Sequence, residues 1–270
     1  MTKPLALNRP DGHTIAYRRA EGPSARADQG HTGQERVGVV WLGGFRSDME
    51  GSKAETLHAW AEADGRAYVR FDYFGHGSSS GAFRGGTISR WREDALAVID
   101  ELTEGRQILV GSSMGGWIAL LAALARPERV AGLVLIAPAP DFTERLMWAS
   151  FPEEVRQTIE TEGVYEMPSA YDPEPTAITK ALIEDGRNWL LYDSPTIPID
   201  VPVRIIHGDE DPDVPWRHSL ELLSRLPGAD IEYIRVPGGD HRLSTEKDLK
   251  RLERVVAGLA DTVDAAGLRH

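Results

Sequence analysis

The chain of 270 residues contains no cysteine. This absence excludes disulfide bridges, metal sites built on thiolates and a cysteine nucleophile. A chain of this length buries enough apolar surface to fold without such cross-links. The composition therefore predicts an ordinary globular protein and is compatible with a reducing compartment.

Positive charge is scarce in the sequence. The 30 Lys and Arg residues face 42 Asp and Glu residues, which gives a formal net charge of -12. Because nucleic-acid phosphates and anionic lipids attract basic surfaces, this balance argues against both as partners. We therefore predict no nucleic-acid partner. Nothing in the sequence argues against a homodimer, which stays an expectation.

Long apolar runs are absent as well. No stretch reaches the roughly 18 consecutive apolar residues that a membrane-spanning helix needs. Residues 1–20 carry no apolar core of a secretory signal, and Asp11, Glu21 and Asp28 argue against a transit peptide. Together these absences predict a cytoplasmic protein with no membrane span.

Short apolar runs alternate with helical patterns along most of the chain. The run "VGVVWLGG" at 37–44 is typical of a strand buried on both faces, and the next pattern predicts a helix that stops at Gly65. The last helix is predicted from Ser244 to about Val263, with a capping box at Ser244. An antiparallel hairpin is predicted around a turn at 10–12. This order predicts an α/β fold: a mostly parallel sheet of about eight strands with helices on both faces.

Residues 138–202 break the alternation. They are rich in proline, contain two or three short helical patterns and show no convincing buried strand. We therefore predict a single α/β core, residues 1–137 and 203–270, and a helical cap insertion, residues 138–202, over the strand ends. Aromatic residues of the cap are the candidate substrate-binding residues: Trp148, Phe151 and Trp189.

The stretch "ILVGSSMGGW" at 108–117 predicts a sharp turn between a strand and a helix. Such a turn presents a serine hydroxyl, but it leaves room only for very small residues two positions before and after the serine, hence the spacing G-x-S-x-G. Centred on Ser113, these positions hold two glycines; centred on Ser112, they hold the bulkier Val110 and Met114. We predict that Ser113 is a nucleophile. The alternative is a glycine-rich turn without chemistry.

A serine nucleophile needs a general base, which in such a sheet follows the serine and the acid in the chain. Four histidines follow Ser113. His207 ends a strand, His218 lies in a helix where we expect a surface position, and His270 is the terminal residue. His241 lies in "VPGGDHRLS", a loop after the last strand whose glycines leave the ring free to be aimed. We predict that His241 is the base.

The base needs an acid that orients the imidazole and stabilises its protonated form. The loop "HGDEDPDVP", one unit before the His241 loop, offers four acids: Asp209, Glu210, Asp211 and Asp213. The alternatives for this segment are a solvated acidic loop or a cation site. Spacing alone leaves all four acids open.

The oxyanion formed in acyl transfer needs two backbone donors. One predicted donor is the N–H of Met114, at the start of the helix after the nucleophile. The other is the N–H of Phe45, because Gly43 and Gly44 let the loop after "VVWLGG" approach closely. This chemistry requires no metal or organic cofactor, and we expect none.

A second loop rich in glycine and serine, "RFDYFGHGSSSG" at 70–81, has some features of a phosphate-binding loop. It lacks the pattern G-x-x-x-x-G-K-[ST], and no lysine is near. We expect its histidine, His76, to pack the loop.

Taken together, these motifs resemble the α/β-hydrolase family over nearly the whole chain. "GSSMGG" is similar to the nucleophile elbow of that family and "GGDH" to its histidine loop, whereas "LGGF" has Gly43 where the family usually has histidine. "HGDEDPDVP" is similar to the family pattern H-G-x-x-D-x-x-V-P, and this resemblance implies that Asp211 is the acid. It also implies the α/β-hydrolase fold.

Finer stretches, such as "GGFRSDMEGSKA" and "HGDEDPDVPW", resemble one branch of this family, the mitochondrial proteins called α/β-hydrolase domain-containing protein 10. That branch is associated with palmitoyl-protein thioesterase activity and with hydrolysis of acyl-glucuronide esters. The resemblance implies similar acyl substrates here. A relative that acts on another ester is the alternative.

We therefore predict a serine hydrolase that cleaves ester or thioester bonds of a small lipophilic or aromatic acyl substrate through an acyl-enzyme on Ser113. The same triad also supports C–C bond hydrolysis or perhydrolysis. An alternative of a different class is a ligand receptor that kept the fold without catalysis. Such receptors usually lose a triad member, and all three positions are filled here.

Overall fold

A computed structural model describes residues 3–22, 36–168 and 174–267. Ten strands are present in these residues, and eight of them form one sheet. In chain order the strands are β1 (Leu5–Asn8), β2 (Thr14–Ala20), β3 (Gly38–Leu42), β4 (Tyr68–Phe71), β5 (Gln107–Ser112), β6 (Val130–Ile136), β7 (Val164–Met167), β8 (Thr176–Thr179), β9 (Val203–Gly208) and β10 (Ile231–Val236).

The eight-stranded sheet has the order β1-β2-β4-β3-β5-β6-β9-β10. β1 pairs with β2 and β2 with β4 in antiparallel fashion, and the remaining pairs are parallel. The antiparallel start and the parallel remainder are as predicted. Since the carboxyl ends of parallel strands lie at one edge, the loops after β3, β5, β9 and β10 are brought close together.

Seven α-helices are present in the described residues. They are α1 (Ser52–Asp64), α2 (Ile88–Leu102), α3 (Met114–Ala125), α4 (Glu153–Glu162), α5 (Lys180–Gly186), α6 (Trp216–Leu223) and α7 (Glu246–Gly267). α1 and α7 bury their apolar residues in one cluster, and α2, α3 and α6 bury theirs in another. The central strands are buried on both faces because helices cover each side, which explains their continuous apolar runs.

The helix ends test the predicted boundaries. α1 stops where predicted: Gly65 has φ 65° and its N–H donates to the carbonyl of Glu62. The predicted capping box at Ser244 is wrong by one residue. Thr245 Oγ1 accepts the N–H of Asp248 at 3.3 Å and lies 2.5 Å from its carboxylate. Ser244 instead bonds the Arg242 carbonyl, because helix signals alone place an end only to within a residue or two.

The segment 138–202 contains α4, α5 and several single turns, as its helical patterns predict. No convincing buried strand is predicted there, yet β7 and β8 form an antiparallel pair, and three of the four residues of β8 are buried. Each of these strands has four residues and pairs only with the other, so neither shows the long apolar run of a core strand. Ile159, Ile178 and Ile183 form the centre of a separate apolar cluster, which we call the cap cluster.

Candidate active site

Ser113 lies at the turn between β5 and α3 and has φ 55° and ψ -118°. Positive φ is unfavourable for a residue with a side chain and persists only where the surroundings enforce it. Here the Ser113 N–H donates to the Ile136 carbonyl at 2.9 Å, and its own carbonyl accepts the N–H of Ala139 at 3.1 Å. Both partners lie on β6 or just beyond it, so the neighbouring strand holds the strained turn in place.

The glycines on either side of the turn have no room for a side chain. A Cβ built on Gly111 would lie 2.3 Å from the carbonyl oxygen of Gly115, and one on Gly115 would lie 2.1 Å from that of Leu42. These overlaps are the steric reason for a turn centred on Ser113. Ser112 is the last residue of β5, where it is buried and pairs with Ile136.

Three loops bring the predicted triad residues together. His241 Nε2 lies 3.1 Å from Ser113 Oγ, and His241 Nδ1 lies 2.7 Å from Asp211 Oδ2. The Asp211 side chain is fully buried, whereas that of His241 is 18% exposed. The residues follow β5, β9 and β10, so the parallel sheet supplies the meeting point. This arrangement can pass a proton from Ser113 to His241 while Asp211 orients the ring.

Asp211 is the acid that the fold turns inward. Its Oδ1 accepts the N–H groups of Asp213 and Val214, each at 2.8 Å. Burial by itself would raise the pKa of Asp211, but hydrogen bonds from His207 and His241 outweigh it, so the pKa lies below its usual range. The carboxylate is therefore ionised at neutral pH.

The other acids of the loop are more exposed than Asp211. Asp209 accepts the N–H of Gly238 at 2.6 Å and pairs with Arg235 at 2.7 Å. Glu210 and Asp213 are exposed. Packing of the loop thus separates four acids that spacing left equivalent.

His207 is a site residue that the sequence reasoning did not use. Its Nε2 lies 3.1 Å from Asp211 Oδ2 and 2.9 Å from the Val214 carbonyl, and its Nδ1 lies 2.7 Å from Ser219 Oγ. Both neighbours of Nε2 are acceptors, so Nε2 carries the proton. A fully buried histidine therefore shares the carboxylate with His241. The available signal was its position four residues before Asp211 in "HGDED".

The expectation of a surface position for His218 is wrong. The residue is 8% exposed, and its Nε2 lies 2.7 Å from the Pro140 carbonyl. Burial lowers the pKa of His218. The neighbouring Tyr192 hydroxyl donates to the His218 carbonyl at 2.7 Å, so the end of the 138–202 segment covers α6 on the side that the helix pattern marked as polar. His270 lies outside the described residues.

The predicted oxyanion donors flank Ser113. A Cβ on Gly44 would lie 3.5 Å from Ser113 Cβ, so the loop that carries Phe45 approaches the serine closely. Met114 is the first residue of α3, where an N–H has no acceptor within the helix. Met114 therefore follows Ser113 directly, and the residue before Phe45 lies against Ser113.

The candidate substrate-binding aromatics have different surroundings. Trp148 and Phe151 pack against the cap cluster. Trp189 packs against the main core, its indole N–H donates to Ser89 Oγ at 2.7 Å, and its carbonyl accepts the indole N–H of Trp117. Trp189 thus connects the cap to α2 and α3, while the other two lie within the cap.

A cation site was the alternative for the acidic loop. Asp211, Asp213 and His241 offer ligand atoms within 4.8 Å of one another. However, both oxygens of Asp211 already accept hydrogen bonds from the protein, and His241 is bonded on both ring nitrogens. The Asp211 and His241 atoms that a cation would need are therefore already engaged in hydrogen bonds within the protein.

Comparison with known proteins places the chain in a family. A sequence profile described as the alpha/beta hydrolase family matches residues 39–255. The chain belongs to this family. It is 38% identical over 256 residues to "Palmitoyl-protein thioesterase ABHD10, mitochondrial" of Bos taurus. The alignment covers 94% of this chain and 79% of the relative.

Solved structures of similar proteins agree with this family assignment. A crystal structure described as a hydrolase from Agrobacterium vitis S4 has a TM-score of 0.87 at 41% identity, covering 96% of this chain and 98% of that one. Alpha/beta hydrolase domain-containing protein 10 from mouse has a TM-score of 0.84 at 36% identity, covering 97% and 100%. The predicted fold, and the predicted class of an ester- or thioester-cleaving hydrolase, are confirmed.

The predicted cytoplasmic location is wrong. The bovine relative is named as mitochondrial, and four further mammalian relatives carry the same name. The prediction was based on composition, and the composition of a folded domain does not indicate its organelle, because targeting depends on separate segments. In the described residues, no helix has the length and apolar character needed to cross a membrane.

Proposed function

We propose that the protein hydrolyses acyl esters or thioesters with Ser113 as nucleophile, His241 as general base and Asp211 as orienting acid. The observation that carries the proposal is the unbroken chain of hydrogen bonds from Ser113 Oγ through both His241 nitrogens to Asp211. It starts at a residue held in a strained backbone conformation, which is typical of functional sites. The division into an α/β core and a cap over residues 138–202 is part of the proposal.

The reaction follows from this geometry. Ser113 Oγ attacks the acyl carbonyl carbon as its proton passes to His241 Nε2, and the N–H groups of Phe45 and Met114 hold the resulting oxyanion. The tetrahedral species collapses, the bond to the alcohol or thiol breaks, and that group leaves with the proton from His241. Water, deprotonated by His241, then attacks the acyl-Ser113 carbonyl. Collapse returns the proton to Ser113 and releases the carboxylic acid.

The acyl group is proposed to lie against the apolar underside of the cap. The Phe45 ring packs against both the main core and the cap cluster, so an apolar path leads from the proposed oxyanion donor into the cap. A cleft of about 400 Å³ on the cap has Trp148, Ile159 and Ile183 on one part of its wall, and its other lining residues are polar or charged: Glu160, Thr161, Lys180, Glu184 and Arg187. A lipophilic acyl chain, such as the palmitoyl group in the name of the relatives, fits the apolar path at Phe45 and not this polar cleft.

Fluorophosphonate labelling tests the nucleophile. We expect the probe to modify intact protein at Ser113, read by peptide mass spectrometry, and not to modify Ser113→Ala. Ser112→Ala is the matched control and should label normally. Folded wild-type protein that never labels would favour the receptor alternative and refute the proposal.

Turnover of matched acetyl, octanoyl and palmitoyl thioesters and p-nitrophenyl esters tests the substrate class. We expect kcat/KM to rise with acyl length because longer chains bury more apolar surface against the cap. Turnover independent of chain length would refute the apolar acyl site while leaving the labelling result intact.

A further inference from the structure

The segment after β4 packs against the loop that carries Phe45. We call residues 43–49 the oxyanion loop. Asp72 Oδ1 accepts the N–H of Met49 at 2.6 Å, and Asp72 Oδ2 accepts the N–H of Ser78 at 2.7 Å. One carboxylate therefore joins the far end of the oxyanion loop to the loop "GHGSS", which contains His76.

His76 contacts the middle of the oxyanion loop. Its Nε2 lies 3.2 Å from the backbone nitrogen of Arg46, and its Nδ1 lies 3.1 Å from the carbonyl of Phe74. A carbonyl can only accept, so Nδ1 carries the proton and Nε2 presents a lone pair to the Arg46 N–H. Both contacts are satisfied by a single neutral tautomer.

The bonded residue is the neighbour of the proposed oxyanion donor. Arg46 has φ 61°, an unfavourable value for arginine that requires an external constraint. The hydrogen bond to His76 supplies one at the peptide unit that directly follows Phe45. Rotation of this unit toward ordinary φ would turn the chain at Phe45 as well, because consecutive peptides share a Cα.

The rings around His76 also surround Phe45. Phe83 and Trp91 lie 5.2 Å from the His76 ring, and they lie 5.0 Å and 5.8 Å from the Phe45 ring. His76 is 4% exposed, so its ring is enclosed on the side away from the oxyanion loop. The same aromatic wall thus fixes the histidine and the side chain of the proposed donor.

We propose that His76 is a positioning residue that, through its Nε2 lone pair, holds Arg46 and so aims the Phe45 N–H at the oxyanion. This role rests on the proposed function of Ser113 and Phe45. It gives a role beyond packing to a histidine that the sequence predicts as a loop-packing residue. His76 contacts no reacting atom.

The bond needs a neutral ring at working pH. Burial lowers the pKa of His76 to about 4, with the nearby Arg46 charge acting in the same direction and the Phe74 hydrogen bond opposing it. The Nε2 lone pair is therefore available across the neutral range.

Two substitutions separate the hydrogen bond from ring packing. His76→Phe keeps an aromatic ring but removes the acceptor, and His76→Gln restores an acceptor near the Nε2 position. We expect kcat of His76→Phe to fall roughly 10- to 100-fold, less than the loss of a whole oxyanion donor, with KM changed by less than about threefold. We expect His76→Gln to recover most of the kcat. His58→Phe, on α1 at the opposite face of the sheet, is the control for histidine replacement.

A trifluoromethyl ketone of the preferred acyl chain gives a readout that packing alone would not change. It forms an oxyanion on Ser113, so its inhibition constant should weaken in His76→Phe by the same factor as kcat. Wild-type kcat and inhibition in His76→Phe would overturn the proposal, as would equal losses in His76→Phe and His76→Gln.

The tautomer of His76 can be tested in the wild-type protein, so this test does not depend on whether a variant folds. Imidazole ¹⁵N shifts should show His76 as the neutral Nδ1–H tautomer at pH 7, and an Nε2–H tautomer would overturn the proposal. Wild-type protein that neither labels at Ser113 nor turns over acyl esters would refute the proposed function instead. That failure is distinct, because active wild-type enzyme with an unaffected His76→Phe refutes only the positioning role.

Discussion

The carboxyl edge of the sheet and the cap hold their side chains by different means. At the sheet edge, Asp211 is fully buried and receives four hydrogen bonds, and Gly111 and Gly115 lie where no side chain fits. The proposed cap has its own small apolar cluster, adds side chains such as Leu182 to the main core, and forms ion pairs with exposed members to the core, such as Arg145 with Glu221. A single change therefore has very different consequences in the two regions.

Because of this difference, we expect the sheet edge to carry out the reaction and the cap to decide which substrates react. Exposed ion pairs contribute only about 0–1 kcal/mol each, so cap residues that lie outside the main core can change without unfolding it. The close contacts at the sheet edge allow no such change, because a shift of the turn would move Ser113 away from His241. We expect variants at the sheet edge to lose reaction with every substrate, and cap variants to change only which substrates react well.

The largest effect is expected at the nucleophile. Ser113→Ala should lower kcat by roughly 10⁴-fold or more, because the covalent step is lost and only binding and oxyanion contacts remain. Ser112→Ala should retain substantial activity, since Ser112 belongs to β5. Ester hydrolysis by both purified variants is the measurement. A loss in Ser112→Ala with activity retained in Ser113→Ala would contradict the assignment of the turn.

The next largest effect is expected from filling the space at Gly115, and it tests how tightly the sheet edge is packed. Gly115→Ala places a Cβ 2.1 Å from the Leu42 carbonyl, so we expect a loss of several kcal/mol in unfolding free energy and of most activity. Gly258→Ala in α7 is the matched control, because a Cβ there meets nothing within 4 Å. It should be neutral or stabilising by up to about 1 kcal/mol, since alanine favours helix. Urea unfolding measures both, and equal effects would show that the turn is not tightly packed.

A smaller effect concerns Asp94 on α2, which is 1% exposed and accepts the Phe74 N–H at 2.8 Å. Burial raises its pKa from 3.8 to about 6. The folded state therefore binds this proton more tightly than the unfolded state, and stability falls as pH rises from about 4 through 6. Asp94→Asn keeps the acceptor but not the charge.

The expected result is a pH-dependent difference between Asp94→Asn and wild type. The unfolding free energy of the variant relative to wild type should increase between pH 4 and pH 7 by up to about 3 kcal/mol. Urea unfolding at both pH values gives this difference. A difference that is constant with pH would show that the folded protein does not hold the proton.

The smallest effect is expected in the cap. Phe151→Ala removes an aromatic ring that packs against the cap cluster, so kcat/KM for a palmitoyl ester should fall about tenfold while that for an acetyl ester stays nearly unchanged. Leu220→Ala on α6, an exposed apolar residue outside the cap, should change neither. Equal losses for both esters would show that the cap affects the chemistry and would remove the proposed separation.

Particular residues show how far sequence reasoning reached. The turn at Ser113, the loop position of His241 and the end of α1 at Gly65 depend on neighbours a few residues away, so local rules were sufficient to predict them. The strands β7 and β8 were missed because four-residue strands that pair only with each other lack a distinctive apolar pattern. His218 was placed at the surface because a helix pattern cannot show what covers its polar side.

By itself, the sequence determined the order of strands and helices outside residues 138–202, the turn centred on Ser113, and the loops that carry Asp211 and His241. These depend on backbone sterics and hydrophobic periodicity, which act over short distances along the chain. Only the tertiary structure decided that Asp211 turns inward while Asp209 bonds Arg235, that His207 shares the carboxylate, and that His76 bonds the oxyanion loop. Those contacts join residues from different strands and loops, and burial at their meeting point selects among groups that are chemically equivalent in the sequence.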